Sequence, residues 1–196
     1  MRLLKLFMIV FVCASLLSSV APVSAQAAAD GYTHPPTGLV FPRNIGRTVY
    51  TQTHQFEDPR LGVAVQYQGM DIPARIGIYL YDLGLKNIGT GLGQVAREQF
   101  AQAKEDIYIV QQRGRYQQVQ TLFDKQFELQ SGKGPLPALA ACFLYDMEGT
   151  RYTSFLVVTE FKGSVFKVRY TYPSQAAQTG DKQFEQFLND LSPILK

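Results

Sequence analysis

Residues 139–172 read LAACFLYDMEGTRYTSFLVVTEFKGSVFKVRYTY, and three strands are written into them. Leu139–Met147, Tyr152–Phe161 and Val165–Tyr172 are rich in β-branched and aromatic residues, the types that suit a pleated, half-buried surface. The links between them are centred on Glu148-Gly149 and Lys162-Gly163, short signals of the kind that reverse a chain in a hairpin. Strands joined so closely must run antiparallel, because a parallel pair needs a crossover of about a dozen residues or more. Pro173 ends the run.

The same texture extends upstream. Leu39–Phe41 stops at Pro42, and Thr48–Phe56 is closed by Glu57-Asp58-Pro59-Arg60 as a turn. Val63, Val65 and Tyr67 alternate with Ala64, Gln66 and Gln68, a period of two with one polar face. Ala74–Asp82 carries Ile76, Ile78 and Leu80 on one side and Tyr79 and Tyr81 on the other, which marks a central strand. Tyr116–Leu129 precedes the three strands already described.

Helical spacing interrupts this pattern twice. Leu92, Val95, Ala96, Phe100, Ala103, Ile107 and Val110 fall three or four residues apart, and Gly114 ends that segment. Asp181 is positioned to cap a second helix carrying Phe184, Phe187, Leu188 and Leu191, halted by Pro193. Four strands, a helix, four strands and a helix predict an α+β protein. Its mainly antiparallel sheet has seven to eight strands, with a helix packed on each face as an α/β/α sandwich. A transmembrane barrel is the competing use of eight strands, and two helices with a polar C-terminus argue against it.

The N-terminus carries a different message. Arg2 and Lys5 precede the uncharged apolar stretch Leu6–Val20, and Val23-Ser24-Ala25 places small residues at the −3 and −1 positions before Gln26. These are the parts of a secretory signal peptide, cut between Ala25 and Gln26, with a second acceptable cut after Ala27. An uncleaved anchor is the competing reading, but the stretch is short of the roughly 20 residues of a bilayer span. Cys13 sits inside the apolar run, not at its end where a lipidated cysteine belongs. The expected organisation is therefore a signal peptide over 1–25, a flexible leader over 26–37 and a single domain over 38–196. The expected location is the periplasm or the extracellular space, with no stable membrane insertion after cleavage.

Composition sets further limits. The 196 residues are 46% hydrophobic and 18% charged, which excludes a disordered or collagen-like chain. Losing 1–25 removes two of the 19 basic residues and none of the 16 acidic ones, so the net charge falls from +3 to +1. No strong field then favours nucleic acid.

Catalytic constellations are incomplete. Gly89-Thr-Gly91-Leu-Gly93-Gln94 has Gln94 where a dinucleotide loop needs its third glycine, and Gly132-Lys133-Gly134-Pro135 lacks the rest of a phosphate-binding loop. Both read as flexible turns. His34, His54 and Cys142 are too few for a tetrahedral metal site without carboxylates. Cys142 lies in an apolar run and reads as a buried hydrophobe without a disulfide partner. His54 beside Glu57 and Asp58 reads as a strand end and an acidic turn; Asp146 with Glu148 and Glu105 with Asp106 read as a strand end and a helix surface. No catalytic residue, cofactor or metal site is assigned. Tyrosines near strand ends are more suggestive, because a ring packs while its hydroxyl still bonds. Tyr79, Tyr81, Tyr170 and Arg169 are the candidate binding-surface residues, with Lys167 beside Arg169 on the polar side of its strand.

At Gly38-Leu-Val-Phe-Pro42, Leu61-Gly-Val-Ala-Val-Gln-Tyr67 and Ile78-Tyr-Leu-Tyr-Asp-Leu-Gly-Leu85 the chain resembles exported bacterial proteins of unassigned function. The hairpin from Phe155–Phe161 through Phe166–Pro173, followed by a helix, is more distantly similar to the PsbP-type α/β/α sandwich. That resemblance spans most of 38–196 and rests on strand and turn patterns. It implies a non-catalytic assembly or accessory factor and supplies no catalytic residue. The expectation is an exported binding or accessory protein of the bacterial cell envelope, whose partner is an envelope protein or small ligand. The alternatives are an envelope hydrolase or a small-ligand carrier.

Overall fold

The two hairpins of residues 139–172 lie where the sequence places them. In the computed structural model, which describes residues 31–196, they join β8 (Gly134–Met147), β9 (Thr150–Phe161) and β10 (Ser164–Pro173). Both turns need two consecutive residues at positive φ, and the chain supplies Glu148 (51°) with Gly149 (77°) and Lys162 (47°) with Gly163 (80°). The long β7 (Gln117–Ser131) adds outside β8. On the other flank β10 pairs with β6 (Arg75–Tyr81), and β5 (Val63–Gly69), β4 (Thr48–Gln55) and the two-residue β3 (Asn44–Ile45) follow. Eight strands thus form one antiparallel sheet in the order β3-β4-β5-β6-β10-β9-β8-β7.

Two helices complete the α+β fold, α1 over Gln94–Gln112 and α2 over Ala177–Leu191. Strand alternation gives them different partners. Phe100, Ala103 and Ile107 of α1 pack with Ala141, Phe143, Leu156, Val158 and Val165. Phe184, Phe187 and Leu191 of α2 pack with the intervening residues, including Cys142, Phe155, Val157, Val168 and Tyr170.

Three expectations need correction. Residues 31–37 are not a loose leader. Gly31–His34 form β1, which pairs with β2 (Leu39–Pro42) in a separate two-stranded sheet. The alternation there is too short to register as a strand, yet His34 is buried and its Nδ1 lies 2.7 Å from Thr37 Oγ1. Consequently Leu39–Phe41 leave the main sheet, and the short β3 supplies its eighth strand. Asp181 does not cap α2, which begins a turn earlier. It accepts a hydrogen bond from the Tyr172 hydroxyl from inside the helix. The cleavage residues Ala25 and Gln26 lie outside the described residues.

Candidate functional site

Rows of cross-strand neighbours show how the α1 side of the sheet changes character. One row runs His54, Ala64, Tyr79, Lys167, Val158 and Leu139 across β4, β5, β6, β10, β9 and β8. The next runs Gln52, Gln66, Gly77, Arg169, Leu156 and Ala141. Each row is polar or small through β4–β6 and apolar by β9 and β8, where α1 lies over the sheet. Lys167 and Arg169 of β10 stand at the border, both half-buried.

The border is lined with tyrosines. The Lys167 ammonium sits 4.7 Å from the Tyr79 ring centroid and 5.2 Å from that of Tyr81. Gly77, opposite Arg169, leaves the space that the Tyr79 ring occupies, and a Cβ there would stand 3.0 Å from the Tyr79 hydroxyl. The Tyr81 hydroxyl donates to Gln99 Oε1 of α1 at 3.0 Å. Beyond them Tyr116 stacks on Tyr145 at 4.0 Å between centroids, and Tyr145 on Tyr152 at 5.8 Å. Arg169 is held from two directions: its Nε donates to Ser154 Oγ at 2.7 Å, and its guanidinium lies 6.0 Å from the Phe143 ring.

Electrostatics here are unbalanced. Burial, and then the neighbouring Arg169, lowers the Lys167 ammonium pKa to about 8, with Asp106 acting in the opposite sense. Asp106 is itself buried on α1, contrary to its expected place on the helix surface. Burial pushes its carboxyl pKa up against the opposing hydrogen bond from Gln102 at 3.0 Å. Its Oδ2 is buried without a partner among the described residues. No carboxylate among the described residues comes within ion-pair distance of Lys167 or Arg169. Burial also raises the Tyr116 phenol to about 12 and that of Tyr79 above its ordinary value.

Of the four candidate residues, the structure brings Tyr79, Tyr81 and Arg169 together. Tyr170 is placed elsewhere. It faces α2, fully buried between Phe184 (5.4 Å) and Phe187 (5.6 Å), because strand alternation sends residue 170 opposite to 169. Sequence reasoning missed the roles of Ser154, Gln99 and Asp106; the helical period carries a signal for the last two, Gln99 lying three and four residues from Ala96 and Ala103, and Asp106 three residues from Ala103.

The other sequence features have structural places. The Gly89–Gly93 loop is pinned. The buried Glu160 carboxylate accepts from Gly89 N at 3.0 Å and from Ala96 N at 2.9 Å, and Gly91 bridges the Glu160 backbone. Asp146 faces Arg151 across the β8–β9 hairpin at 3.4 Å, and Glu148 is in its turn. Cys142 is 2% exposed on the α2 side and burial pushes its thiol up to about 12. Beside it, Phe123, Phe155, Phe184 and Leu188 line an apolar groove of about 600 Å³ between α2 and β7–β9.

No family model matches the sequence, and no curated protein matches it. The solution structure of cyanobacterial PsbP from Synechocystis sp. PCC 6803 is similar, with a TM-score of 0.53 at 10% identity. The likeness covers 89% of this chain and 96% of that one, so the fold is PsbP-like. No helix among the described residues is long and apolar enough to cross a membrane.

Proposed function

We propose that this chain is an exported, non-catalytic binding or accessory protein of the bacterial cell envelope. Its binding face is the tyrosine-lined border of the sheet beside α1, and its architecture is an α/β/α sandwich with one helix on each face. One observation carries the reading. Lys167 and Arg169 are half-buried among Tyr79, Tyr81 and Tyr116 with no ion-pair partner among the described residues. Desolvating two cations is costly, and a merely solvated sheet would not hold them between an aromatic row and a helix. Rigid tyrosines with polar tips are the usual material of recognition surfaces. The export signal supports the location.

Site-specific photo-crosslinking in the native envelope tests the reading. A photoreactive residue at Gln66 or Arg75, on this face, captures the same component, while one at Lys182 on α2 does not. Turnover of an esterase, phosphatase, peptidase or glycosidase substrate that disappears on changing His54 or Asp146 overturns it in favour of a hydrolase.

The apolar groove beside α2 favours a second reading, a small-ligand carrier, since about 600 Å³ falls within the volume of ordinary ligand pockets. An environment-sensitive apolar dye tests this: its fluorescence rises with the wild-type protein and not with Leu188→Lys.

A further inference from the structure

The pairing in β10 specifies more than a surface. Lys167 and Arg169 are two residues apart on one strand, so both side chains leave the sheet on the same side, about 7 Å apart along the strand. Two cations so placed repel each other, and the protein supplies little to offset it. Asp106 is the one buried carboxylate of α1; its Oδ1 accepts from Gln102, and neither of its oxygens comes within ion-pair distance of the two cations.

Arg169 shows which of its atoms await a partner. Nε is committed to Ser154, while no acceptor among the described residues bonds either Nη. Its guanidinium is steadied near Phe143 and by the Nε bond to Ser154, so the two Nη groups form a preset fork. The Lys167 ammonium is held over two aromatic faces, contacts that leave all three of its N–H bonds unspent. The Tyr79 ring, paired across the strands with Lys167, lies over Gly77 and so brings its hydroxyl to the position opposite Arg169.

We propose that Lys167, Arg169 and the Tyr79 hydroxyl bind the oxyanion of a small ligand, a carboxylate or a phosphate ester. A guanidinium fork and an ammonium on the same face of one strand match two or three oxygens carrying negative charge. An oxyanion there cancels the repulsion between the cations. A neutral ligand can bond these donors but brings no charge to cancel the repulsion. This inference rests on the binding reading given above and narrows it to a ligand class.

The test uses inorganic phosphate and acetate as probes, against chloride at equal ionic strength, on the mature chain. Melting temperature and amide NMR shifts are the readouts. At least one probe raises the melting temperature saturably and shifts the amides of residues 79, 167 and 169, where chloride does not. Saturation by acetate alone assigns a carboxylate, and by phosphate alone a phosphate ester. Arg169→Gln and Lys167→Gln each weaken the response by about tenfold or more, the usual worth of one charge-assisted contact. Tyr79→Phe keeps the ring packing and weakens it less.

If both probes behave like chloride, or if the variants respond as the wild type does, the oxyanion site is overturned. Crosslinking at Gln66 and Arg75 separates the two levels. Capture that persists without any oxyanion response leaves the binding face standing and removes only the ligand class. Where Arg169→Gln fails to fold, Arg169→Lys keeps the charge without the fork, and an unchanged response to it equally overturns the proposal.

Discussion

Lys167 is the residue on which function and stability pull in opposite directions. Its pKa near 8 lies below the ordinary lysine value of 10.5, so the fold disfavours its charged form. Below about pH 8 the ammonium is charged in both folded and unfolded chains, and the full cost is present. Between about 8 and 10.5 the folded protein gives up the proton first, so this residue's contribution to stability improves as pH rises. Above that window the cost is gone. The charged and titratable groups facing it are Arg169 on β10, Tyr79 and Tyr81 on β6 and Asp106 on α1. Lys167→Met is expected to stabilise the protein by about 1–3 kcal/mol near neutral pH, since a unit of pKa shift is worth about 1.4 kcal/mol. Urea melts at about pH 7 and about pH 9.5 check the sign. The gap between variant and wild type must shrink at the higher pH, and a gap that widens refutes the account. Cys142 obeys simpler physics. It is flanked across the strands by Phe123 and Phe155, and a hydroxyl left without a partner in that apolar layer makes Cys142→Ser cost about 1–3 kcal/mol. Cys142→Ala should cost less, because it adds no polar group. With its thiol pushed up to about 12, native Cys142 should react slowly with thiol reagents near neutral pH. Fast labelling of the folded protein would show a reactive cysteine. Parity along a strand made the Lys167–Arg169 pair legible in the sequence, and the same parity separates Tyr170 from it. The position of α1 over the sheet was not legible. Only that position buries Asp106 and makes the pair a border.

Among the elements, α1 shows how a helix can begin without a capping side chain of its own. Its N-cap residue is Gly93, and the acceptor comes from β9, 64 residues away from Ala96, through the Glu160 carboxylate. A side chain on Gly93 would collide with that carboxylate, which explains why glycine stands where serine or aspartate is usual. The negative charge also faces the positive end of the helix dipole. Glu160→Ala leaves the Gly89 and Ala96 N–H groups unpaired and should cost about 2–3 kcal/mol. Glu160→Gln, keeping one oxygen, should fall between. Hydrogen exchange locates the effect: the Gly89 and Ala96 amides should lose protection first. Unchanged protection there would mean that the cap contributes nothing. The sequence offers Gly89–Gly93 as a flexible turn, because its partner lies in a different part of the chain. Gly180 is illegible for a related reason. A glycine inside α2 weakens the helix by itself, yet a Cβ there would enter the Tyr172 ring. Close approach of helix to sheet sets that choice, and only the folded chain shows it.

At the scale of the whole molecule the folded unit takes in residues 31–37. Tyr32 packs against the core, His34 is buried, and the Lys162 ammonium donates to Thr37 O at 3.4 Å, so 31–37 touch the body of the protein as well as β2. Gly31 is needed at its own position, since its φ of 101° and its approach to the Phe41 carbonyl both exclude a side chain. This matters for the proposed export. A cut after Ala25 leaves five residues ahead of Gly31 and a cut after Ala27 leaves three, so both spare the hairpin. We expect the mature N-terminus at Gln26 or Ala28, read as intact mass from the envelope fraction. A retained Met1, or a start beyond Gly31, would contradict it. A chain beginning at Gly38 is the complementary test. It loses β1, uncovers Leu39 and Phe41, which are 1% and 0% exposed, and removes the partner strand of β2. Uncovering one large apolar side chain costs about 1.5–3 kcal/mol, and partial exposure of two with loss of Tyr32 should total at least about 2 kcal/mol. Denaturant melts of chains beginning at Gly31 and at Gly38 measure the difference. Equal midpoints would return 31–37 to the status of a leader, whereas a lower midpoint at Gly38 makes the hairpin part of the folded domain.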